Sequence, residues 1–585
     1  MHAGAERMNK WQVPAGVRGD AKLVRVSSVD VREDERDCPR ATSVKMRPLL
    51  VPVSDRPRGY APLIDFPFAP LIEAALLIEH DKKVLDWVVR ELHRTAGRFG
   101  RYGGPAHPSL LEWTVEALPL LLAAMDAVES GRLPGIAARR TSAVRQDWVA
   151  TYSTRDGVPD ARGISRFEQT AWGLHCQSPD GRYRDLWLPS KTTARTDRPP
   201  AELAVAAYVL ATGEEGPRPK WDEPFTPADR QNPRPERVRV FAYGCTEGEP
   251  RLLLDWDQEE TRRQYLEHAV PALRRVSLDT EAHPGTSCVS CKAVSGCAKL
   301  PRTPGLWGGA PGATPRPRRS LSAWDLRVHK TCPAQYHLTR QLGIKALLPE
   351  TDATVRGRLV DKALELRHRA RPSRPCREAP RPADPADWSA DEFRLTGDAA
   401  IQAATMLAQH DALCPLGGLG PRDLVQPVHQ LTSYVPELDV VVMATPDLLY
   451  TRGDAWYWRE TKTSSSRLYE RKPLMRQYPQ LALAVLLMNA KVPDGELRRS
   501  RVEFELLHAD DCVLEVLDPS RPAVVAEARE LVAELAEPLL RDAGFEPVPE
   551  EHCHRCEVRS WCPPGREYTT ENQAPATRTS EAQDR

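Results

Sequence analysis

Two acidic residues and a lysine lie on consecutive segments of the chain that read as β-strands. Asp447 lies near the end of the apolar run 438–449, and Glu460 and Lys462 lie on the aromatic run 456–462. A short turn joins the two runs, so we predict that the strands pair and bring the three side chains together. Two carboxylates that hold Mg2+ or Mn2+, with a lysine beside them, are the groups that metal-assisted phosphodiester hydrolysis needs.

Eight of the thirteen cysteines fall into two sets that share one spacing, a distant Cys-Pro pair followed by a C-x2-C-x5-C triplet. The sets are Cys38, Cys288, Cys291 and Cys297, and Cys332, Cys553, Cys556 and Cys562. Four thiolates bind either a 4Fe-4S cluster or tetrahedral zinc, and the spacing alone leaves both open. A metal shared by the second set would tie together the ends of a long segment. The other five cysteines are expected to be buried free thiols, namely Cys176, Cys245, Cys376, Cys414 and Cys512.

The cysteine spacing belongs to a longer internal repeat. Each cysteine of the second triplet lies 265 positions after its counterpart, for example Cys553 after Cys288. Both triplets follow two β-rich runs and a long amphipathic segment. The segment around Glu73 also resembles the one around Asp361. We therefore predict a duplicated domain of roughly 280 residues.

The repeat predicts four parts of the chain. Residues 20–300 would form the first module and residues 320–565 the second. Residues 301–319 are rich in Pro, Gly and Arg, which is typical of an exposed linker. The polar residues 566–585 are expected to form a disordered tail.

Composition narrows the class of protein without naming it. The 585 residues are 41% hydrophobic and 28% charged, as in globular proteins, and no apolar run is long enough to cross a bilayer. The N-terminal segment MHAGAERMNKWQVPAG lacks the apolar core of a secretory signal, so we expect a cytoplasmic protein, where clustered cysteines more often bind metal than form disulfides. Lys plus Arg (81) equals Asp plus Glu (81), so any nucleic-acid surface must be local.

The order of these motifs resembles the PD-(D/E)xK nuclease superfamily, in particular the RecB/AddB-like branch with a four-cysteine iron-sulfur cluster and the related CRISPR-adaptation exonucleases. The resemblance rests on Asp447 and on Glu460-Thr461-Lys462, bracketed by Cys332 and the second triplet. Gln480 opens an apolar helical stretch and corresponds to the catalytic glutamine of the family, with Gln477 as a competing choice.

Three positions depart from the pattern of the family. Asp361, four residues after Gly357, stands where this branch has a metal-binding histidine. Ala444 replaces a glycine three residues before the first acid, and Ala484 replaces a tyrosine on the helix. A carboxylate at position 361 still suits Mg2+, although the substitution leaves the number and preference of metals open.

The resemblance implies an α/β fold of two tandem restriction-endonuclease-like modules, each a central mixed sheet flanked by helices and closed by a four-cysteine metal site. It implies Asp447, Glu460, Lys462 and Gln480 as catalytic residues, with Mg2+ or Mn2+ held by Asp361, Asp447 and Glu460. Cys332, Cys553, Cys556 and Cys562 would bind a 4Fe-4S cluster, and Cys38, Cys288, Cys291 and Cys297 a second one, with zinc as the alternative.

The N-terminal copy is expected to have lost its metal site. Its counterpart of the catalytic strand, YRDLWLPSKTT, keeps Lys191 but has Pro189 in place of the acid. Glu202 stands where the other copy has Gln480, and Asp185 is a weak candidate for a substitute acid. Without the acid this copy should bind Mg2+ poorly, which favours a structural or DNA-binding role.

Basic residues after the catalytic strand are candidates for contacts with DNA phosphates, namely Arg467, Arg471, Lys472 and Arg476. A second Arg-rich stretch between Arg367 and Arg377 is either a phosphate-binding loop or simply solvated. The chain has no G-x4-G-K-[ST] motif, so unwinding would require a helicase partner.

The motifs, taken with this resemblance, predict a metal-dependent deoxyribonuclease. The resemblance alone implies an exonuclease or end-processing enzyme that acts on single strands or duplex ends in DNA repair, recombination or defence against foreign DNA. Two alternatives stay open. One is a non-catalytic DNA-binding subunit with two structural clusters, and the other is a zinc-ribbon scaffold.

Overall fold

The computed structural model describes residues 11–32, 38–53, 61–98, 104–153, 163–217, 221–229, 233–309, 316–464 and 472–572. The protein is a mixed α/β structure with several sheets. None of the helices in these ranges is both long and apolar enough to cross a bilayer.

The N-terminal half contains eleven strands and seven α-helices in the described residues. The strands are β1 (Val17–Gly19), β2 (Leu23–Ser27), β3 (Leu50–Pro52), β4 (Ser142–Ala143), β5 (Asp147–Ser153), β6 (Arg166–Thr170), β7 (Leu174–Gln177), β8 (Tyr183–Ser190), β9 (Glu214–Gly216), β10 (Arg237–Gly244) and β11 (Pro250–Asp257). The helices are α1 (Pro39–Lys45), α2 (Ala69–Glu79), α3 (Leu85–Arg94), α4 (Pro108–Glu129), α5 (Pro200–Thr212), α6 (Gln258–Gln264) and α7 (Val270–Leu278). A π-helical turn, Tyr265–Ala269, joins α6 to α7.

The C-terminal half contains ten strands and eight α-helices in the described residues. The strands are β12 (Arg319–Leu321), β13 (Asp387–Ala390), β14 (Phe393–Thr396), β15 (Val425–Pro427), β16 (Leu431–Val435), β17 (Val440–Ala444), β18 (Leu448–Arg452), β19 (Ala455–Thr463), β20 (Arg501–Leu507) and β21 (Cys512–Leu517). The helices are α8 (Ala323–Thr331), α9 (Pro333–Tyr336), α10 (Asp352–Arg369), α11 (Gly397–Leu413), α12 (Leu474–Gln477), α13 (Pro479–Asn489), α14 (Pro522–Arg541) and α15 (Pro563–Glu571).

The main sheet of the C-terminal half has the strand order β15-β18-β19-β20-β21. Only the central β19–β20 pair is parallel. Helix α13 is apolar on all sides and is buried, as expected of a helix in the middle of a core. It packs with α14 against one face of the sheet, where Trp458, Phe504 and Leu506 contribute to the core.

The apolar run 438–449 forms two strands rather than the single predicted one. Strand β17 pairs in a small sheet of order β12-β17-β16, whereas β18 pairs with β19 in the main sheet. The chain therefore leaves one sheet after Ala444 and enters the other at Leu448. Asp447 lies in this crossing segment, directly before β18.

The main sheet of the N-terminal half repeats this arrangement of strands. Its order is β11-β10-β8-β7-β4, and only the β10–β8 pair is parallel. The second sheet contains β2 parallel to β6 and β6 antiparallel to β5, as β12 is to β17 and β17 to β16. Both sheets thus have counterparts with the same neighbours and the same directions in the C-terminal half.

Two predicted boundaries differ from the structure. The linker 301–319 is not simply exposed, since Leu306 and Trp307 are buried in the C-terminal core. Arg318 in this segment forms an ion pair with Asp439 (Nε–Oδ1, 2.7 Å). Arg318 Nη1 also donates to the backbone carbonyl of Cys291 (2.8 Å). This segment therefore links the N-terminal and C-terminal halves.

The first residues of the predicted disordered tail, 566–571, are helical in the structure. Helix α15 continues to Glu571, because contacts with α4 hold this end of the chain. Arg566 donates to Glu112 (3.0 Å), and Trp561 just before the helix donates to Glu116 (2.6 Å). Residues 573–585 of the predicted tail lie outside the described residues.

Candidate active site and cysteine clusters

Strand β19 presents Trp458, Glu460 and Lys462 on one side, because alternate residues of a strand share a face. Trp458 donates from Nε1 to Glu460 Oε1 (2.9 Å), which orients the buried carboxylate. Lys462 Nζ lies 3.8 Å from the other oxygen of Glu460.

Asp447 joins this group from the crossing segment before β18. Its Oδ2 accepts a hydrogen bond from Lys462 Nζ (3.1 Å) and another from the backbone N–H of Thr461 (2.7 Å). The predicted convergence of Asp447, Glu460 and Lys462 is therefore present, although the acid reaches the site from a strand junction rather than from a strand end.

Asp361 approaches from helix α10. This helix lies close to the end of β19, and a Cβ at Gly357 would come within 3.2 Å of Thr463 Oγ1. A side chain at position 357 would crowd this hydroxyl, so glycine suits the close approach of the helix that carries Asp361. Asp361, Asp447 and Thr461 line a cleft of about 380 Å³.

Two of the acids at this site, Glu460 and Asp361, hold protons more tightly than free carboxyl groups. Burial, together with the negative charge of Asp447, raises the pKa of Glu460 to about 8. The pKa of Asp361 rises to about 7, because the surrounding protein reduces the hydration of its carboxylate and Asp447 again adds negative charge. Burial opposes the charge of Lys462, but attraction to Asp447, Glu460 and Asp361 outweighs it and raises the pKa of the lysine.

These carboxylates suit a divalent cation. Three acids face a single lysine, so at neutral pH their mutual repulsion is relieved by protonation or by a cation. Oxygen ligands of this kind are those that Mg2+ and Mn2+ prefer. Asp361, Asp447 and Glu460 are the residues that would hold it.

The helix after β19 departs from the expected pattern. Gln480 is half-buried near the start of α13, while Gln477 donates to the carbonyl of Lys472 (2.6 Å). Ala484, at the expected tyrosine position, is fully buried in the core. Tyr478 instead stands just before the helix, close enough for the charge of Lys462 to act on its pKa, which burial raises. Sequence reasoning missed Tyr478 because it precedes the glutamine.

The candidate DNA-binding residues are only partly described. Arg467 and Arg471 lie outside the described residues. Lys472 is exposed, and Arg476 forms an ion pair with Glu534 on α14 (2.9 Å). In the second Arg-rich stretch, Arg371 donates to the carbonyls of His368, Arg369, Ala370 and Val425 and thus organises its own loop.

The second cysteine set converges at the C-terminal end of the chain. Cys332, Cys553, Cys556 and Cys562 line one small cavity. The backbone N–H of Val548 points to Cys332 Sγ (3.5 Å). A Cβ at Gly565 would lie 3.4 Å from Cys562 Sγ and 3.6 Å from Cys553 Sγ, so glycine leaves space beside the sulfurs.

The first cysteine set gathers in the same way. Cys38, Cys288 and Cys291 are buried in one cluster against which Cys297 packs. The N–H of His283 points to Cys38 Sγ (3.4 Å). Residue 283 lies 265 positions before Val548, so the same backbone group faces the distant cysteine in both halves. Buried thiols that receive N–H groups suit metal-bound thiolates.

The acids of the N-terminal half are matched by arginines. Asp185, the candidate substitute acid, is buried and accepts from both Nε and Nη2 of Arg239 (2.8 and 2.7 Å). Glu202 is fully buried and bonded to Arg32 and Arg198. Glu73, the counterpart of Asp361, pairs with Arg145 (2.8 Å).

Lys191 and Pro189 lie at the end of the strand that corresponds to β19. Burial lowers the pKa of Lys191, and no carboxylate of the described residues contributes to the shift. Pro189 pairs with Tyr243 in the β8–β10 register. The structure therefore brings no substitute acid to Lys191 within the described residues.

Two of the cysteines that were expected to be free thiols have partners. His368, Cys376, His410 and Cys414 offer ligand atoms that all lie within 4.8 Å of one another. The spacings H-x7-C and H-x3-C were the available signal, but the two pairs are far apart in the chain and only the packing of α10 on α11 joins them.

The mixed α/β fold of the C-terminal half is consistent with the comparison of the chain with known protein families. Residues 320–563 match the PD-(D/E)XK nuclease superfamily. The C-terminal half therefore contains a PD-(D/E)XK nuclease superfamily domain, and the members of this superfamily are nucleases that use divalent metals.

Among solved structures, the chain is similar to the crystal structure of SSO0001, with 14% identity over 42% of this chain and 85% of that chain and a TM-score of 0.22. A similarity at this level adds no argument about function. No curated protein matches the chain significantly.

Proposed function

We propose that this protein is a Mg2+- or Mn2+-dependent DNA nuclease whose active site lies in the cleft between α10 and β19. The observation that carries the proposal is the gathering of Asp361, Asp447 and Glu460 around Lys462. Three acids that share one lysine keep a surplus of negative charge at the edge of an open cleft. In a domain of a nuclease superfamily, such a surplus is best explained as the ligand set of a catalytic cation.

Each residue then has a distinct role. Asp447 and Glu460 hold the cation, and Asp361 takes the place of the histidine ligand. A bound divalent cation polarises the phosphodiester and lowers the pKa of an attacking water. Lys462 stays charged next to the acids and stabilises negative charge on the phosphate. Trp458 fixes the Glu460 carboxylate, and Gln480 orients the substrate or the water.

The N-terminal half acts without a catalytic metal in this proposal. The same strand order, the same parallel pair and the same N–H contact to the distant cysteine support a tandem duplication of the module. Arginines neutralise Asp185, Glu202 and Glu73, which supports a structural or DNA-binding role.

The two cysteine sets bind 4Fe-4S clusters that tie the ends of each module together, and zinc is the alternative occupant. The four thiols of the second set line one cavity, and those of the first set lie in one buried cluster. Together with the N–H group directed at the distant sulfur in each half, this supports a metal in each set. Protein purified without oxygen should be brown, with broad absorption near ~400 nm. A colourless protein that carries zinc would favour zinc in these sets.

We further propose that the enzyme is cytoplasmic and processes single strands or duplex ends, together with a helicase, in repair, recombination or defence. This context rests on the resemblance of the cysteine and nuclease motifs to the RecB/AddB-like branch. Lys472 and neighbouring basic residues would guide the DNA strand.

The test compares labelled single-stranded and duplex DNA with Mg2+, with Mn2+ and with EDTA. Wild-type protein should degrade DNA only with the metal, and Asp447→Asn should lose activity by roughly 100-fold or more. Asp454→Asn is a matched control, since Asp454 is an exposed aspartate at the far end of the same hairpin. Equal activity of wild type and Asp447→Asn would reject the proposal.

The second candidate is a non-catalytic DNA-binding subunit. Asp361 in place of histidine and Ala484 in place of tyrosine favour it. It predicts DNA binding with no metal-dependent cleavage by wild type under any of these conditions.

A further inference from the structure

The C-terminal half contains a further group of potential metal ligands that is distinct from Asp361, Asp447 and Glu460, although His368 also lines their cleft. His368 lies in the last turn of α10, and Cys376 lies in the short 3-10 turn that follows. His410 is in the last turn of α11, and Cys414 comes directly after that helix. Two helix ends thus each supply one histidine and one cysteine.

The four ligand atoms lie close enough together to surround a single metal ion. They all lie within 4.8 Å of one another, and the two Nε2 atoms of His368 and His410 are 3.2 Å apart. Bonds of about 2.0–2.3 Å to a tetrahedral zinc ion place neighbouring ligand atoms roughly 3.3–3.8 Å apart. His368, Cys376 and His410 are buried, and Cys414 is partly buried.

Groups around the site hold the ligands in the form that binds metal. Glu505 on β20 lies 2.7 Å from His410 Nδ1, and both side chains are buried. A proton on Nδ1 shared with this carboxylate leaves the lone pair of Nε2 free to face the other ligands. Metal-binding histidines commonly have such a carboxylate partner. The backbone N–H of Cys376 also points to Cys414 Sγ (3.3 Å), as expected for a thiolate acceptor.

We propose that His368, Cys376, His410 and Cys414 bind one structural zinc ion. Two imidazoles and two thiols in a tetrahedron select zinc over Mg2+, which prefers oxygen ligands. All four positions are filled by protein, so no position is left open for water or substrate. The proposal does not depend on the nuclease reaction.

The zinc ion would join the ends of α10 and α11. These two helices pack against strands β15, β19, β20 and β21 of the main sheet. Helix α10 carries both His368 and, two turns earlier, Asp361. Glu505, which supports His410, also accepts from Thr461 Oγ1 (3.0 Å), and the N–H of Thr461 donates to Asp447. A continuous chain of bonds thus runs from the zinc ligands to the strand with Glu460 and Lys462.

The test measures the metal content of the full chain by mass spectrometry after purification under reducing conditions. Wild type should contain one more equivalent of zinc than the double variant Cys376→Ser/Cys414→Ser. Cys512→Ser is the matched control, since Cys512 is a partly buried cysteine nearby on β21 that is not in the group, and it should keep all the zinc. Iron content should be the same in all three proteins. The double variant should also melt at least roughly 5 °C lower.

A second measurement on wild type avoids any dependence on the folding of variants. Cobalt supplied during expression should give the absorption of a tetrahedral site with two sulfur and two nitrogen ligands, in wild type and in Cys512→Ser alike. The proposal is overturned if wild type carries no zinc in this group, if the double variant keeps all of it, or if Cys376 and Cys414 prove to be joined by a disulfide in the reduced preparation.

Discussion

The two halves of the molecule differ in how their acidic residues are neutralised. At the end of β19, Asp447, Glu460 and Asp361 share one cation, Lys462. In the N-terminal half the acids Asp185, Glu202 and Glu73 pair with arginines instead, as Asp185 does with Arg239. An acid that is already neutralised has little to gain from a metal ion. The fold alone therefore does not create a metal site, whereas an excess of carboxylates over cations favours one.

The pKa values of Lys191 and Lys462 shift in opposite directions for the same reason. Burial lowers the pKa of Lys191, whereas burial of Lys462 is outweighed by attraction to three acids and its pKa is raised. Among the described residues, the lysine at the end of this strand thus has no acid beside it in the N-terminal half, whereas in the C-terminal half it lies among three acids.

The largest expected effect on stability comes from Asp185. Asp185→Asn leaves the buried Arg239 without its carboxylate, so we expect the N-terminal half to lose about 3–5 kcal/mol of unfolding free energy. Asp447→Asn should cost far less or stabilise the protein, because it relieves repulsion among acids. Chemical denaturation of both variants measures the contrast. A comparable loss in Asp447→Asn would mean that the cleft acids are structural.

The next largest effect is on the pH dependence of stability. Glu460→Gln should remove the part of this pH dependence that comes from the Glu460 carboxyl group. The pKa of Glu460 is raised to about 8 in the folded protein, while in the unfolded chain it is near its ordinary value of 4.5. The folded state therefore holds the proton more tightly, so this contribution to stability is fully present below about pH 4.5 and is lost as pH rises to about 8.

Without metal, the melting temperature of Glu460→Gln relative to wild type should consequently rise between pH 5 and pH 9, as thermal melts across this range would show. Adding Mg2+ at pH 9 should stabilise wild type and leave the variant unaffected. A difference between the proteins that stays constant with pH would contradict the raised pKa.

The smallest effect concerns DNA binding. Lys472→Ala should weaken DNA affinity about equally for all sequences and reduce the salt dependence of binding by about one unit of slope. Arg476→Ala should have less effect, because Glu534 already neutralises part of its charge. Titrations at several salt concentrations measure both slopes. A larger loss of DNA affinity in Arg476→Ala than in Lys472→Ala would indicate that the DNA contacts Arg476 rather than Lys472.

Much of the candidate active site could be predicted from sequence because its residues follow local patterns. Glu460 and Lys462 are two apart on one strand, and a tight turn sets the pairing of that strand with β18. The position of Asp447 could not be predicted in the same way. It depends on where the chain passes from one sheet to the other, and an apolar run looks alike in both sheets.

The His368, Cys376, His410 and Cys414 group was missed for a related reason. Its pairs come from two helix ends that only tertiary packing brings together. The pairing of Asp185 with Arg239 was likewise invisible, since it depends on the parallel register of β8 and β10. The sequence therefore identified the acidic residues. Which of them pair with an arginine and which share Lys462 depends on their neighbours in the folded structure.

The central claim is that the lysine of the C-terminal sheet, and not its counterpart, works in a metal-dependent active site. The most direct measurement compares DNA cleavage by Lys462→Ala and Lys191→Ala in Mg2+, with folding of each variant verified by its melting temperature. The account predicts a loss of roughly 100-fold or more for Lys462→Ala and wild-type cleavage for Lys191→Ala. Wild-type cleavage by Lys462→Ala, or an equal loss in both variants, would contradict it.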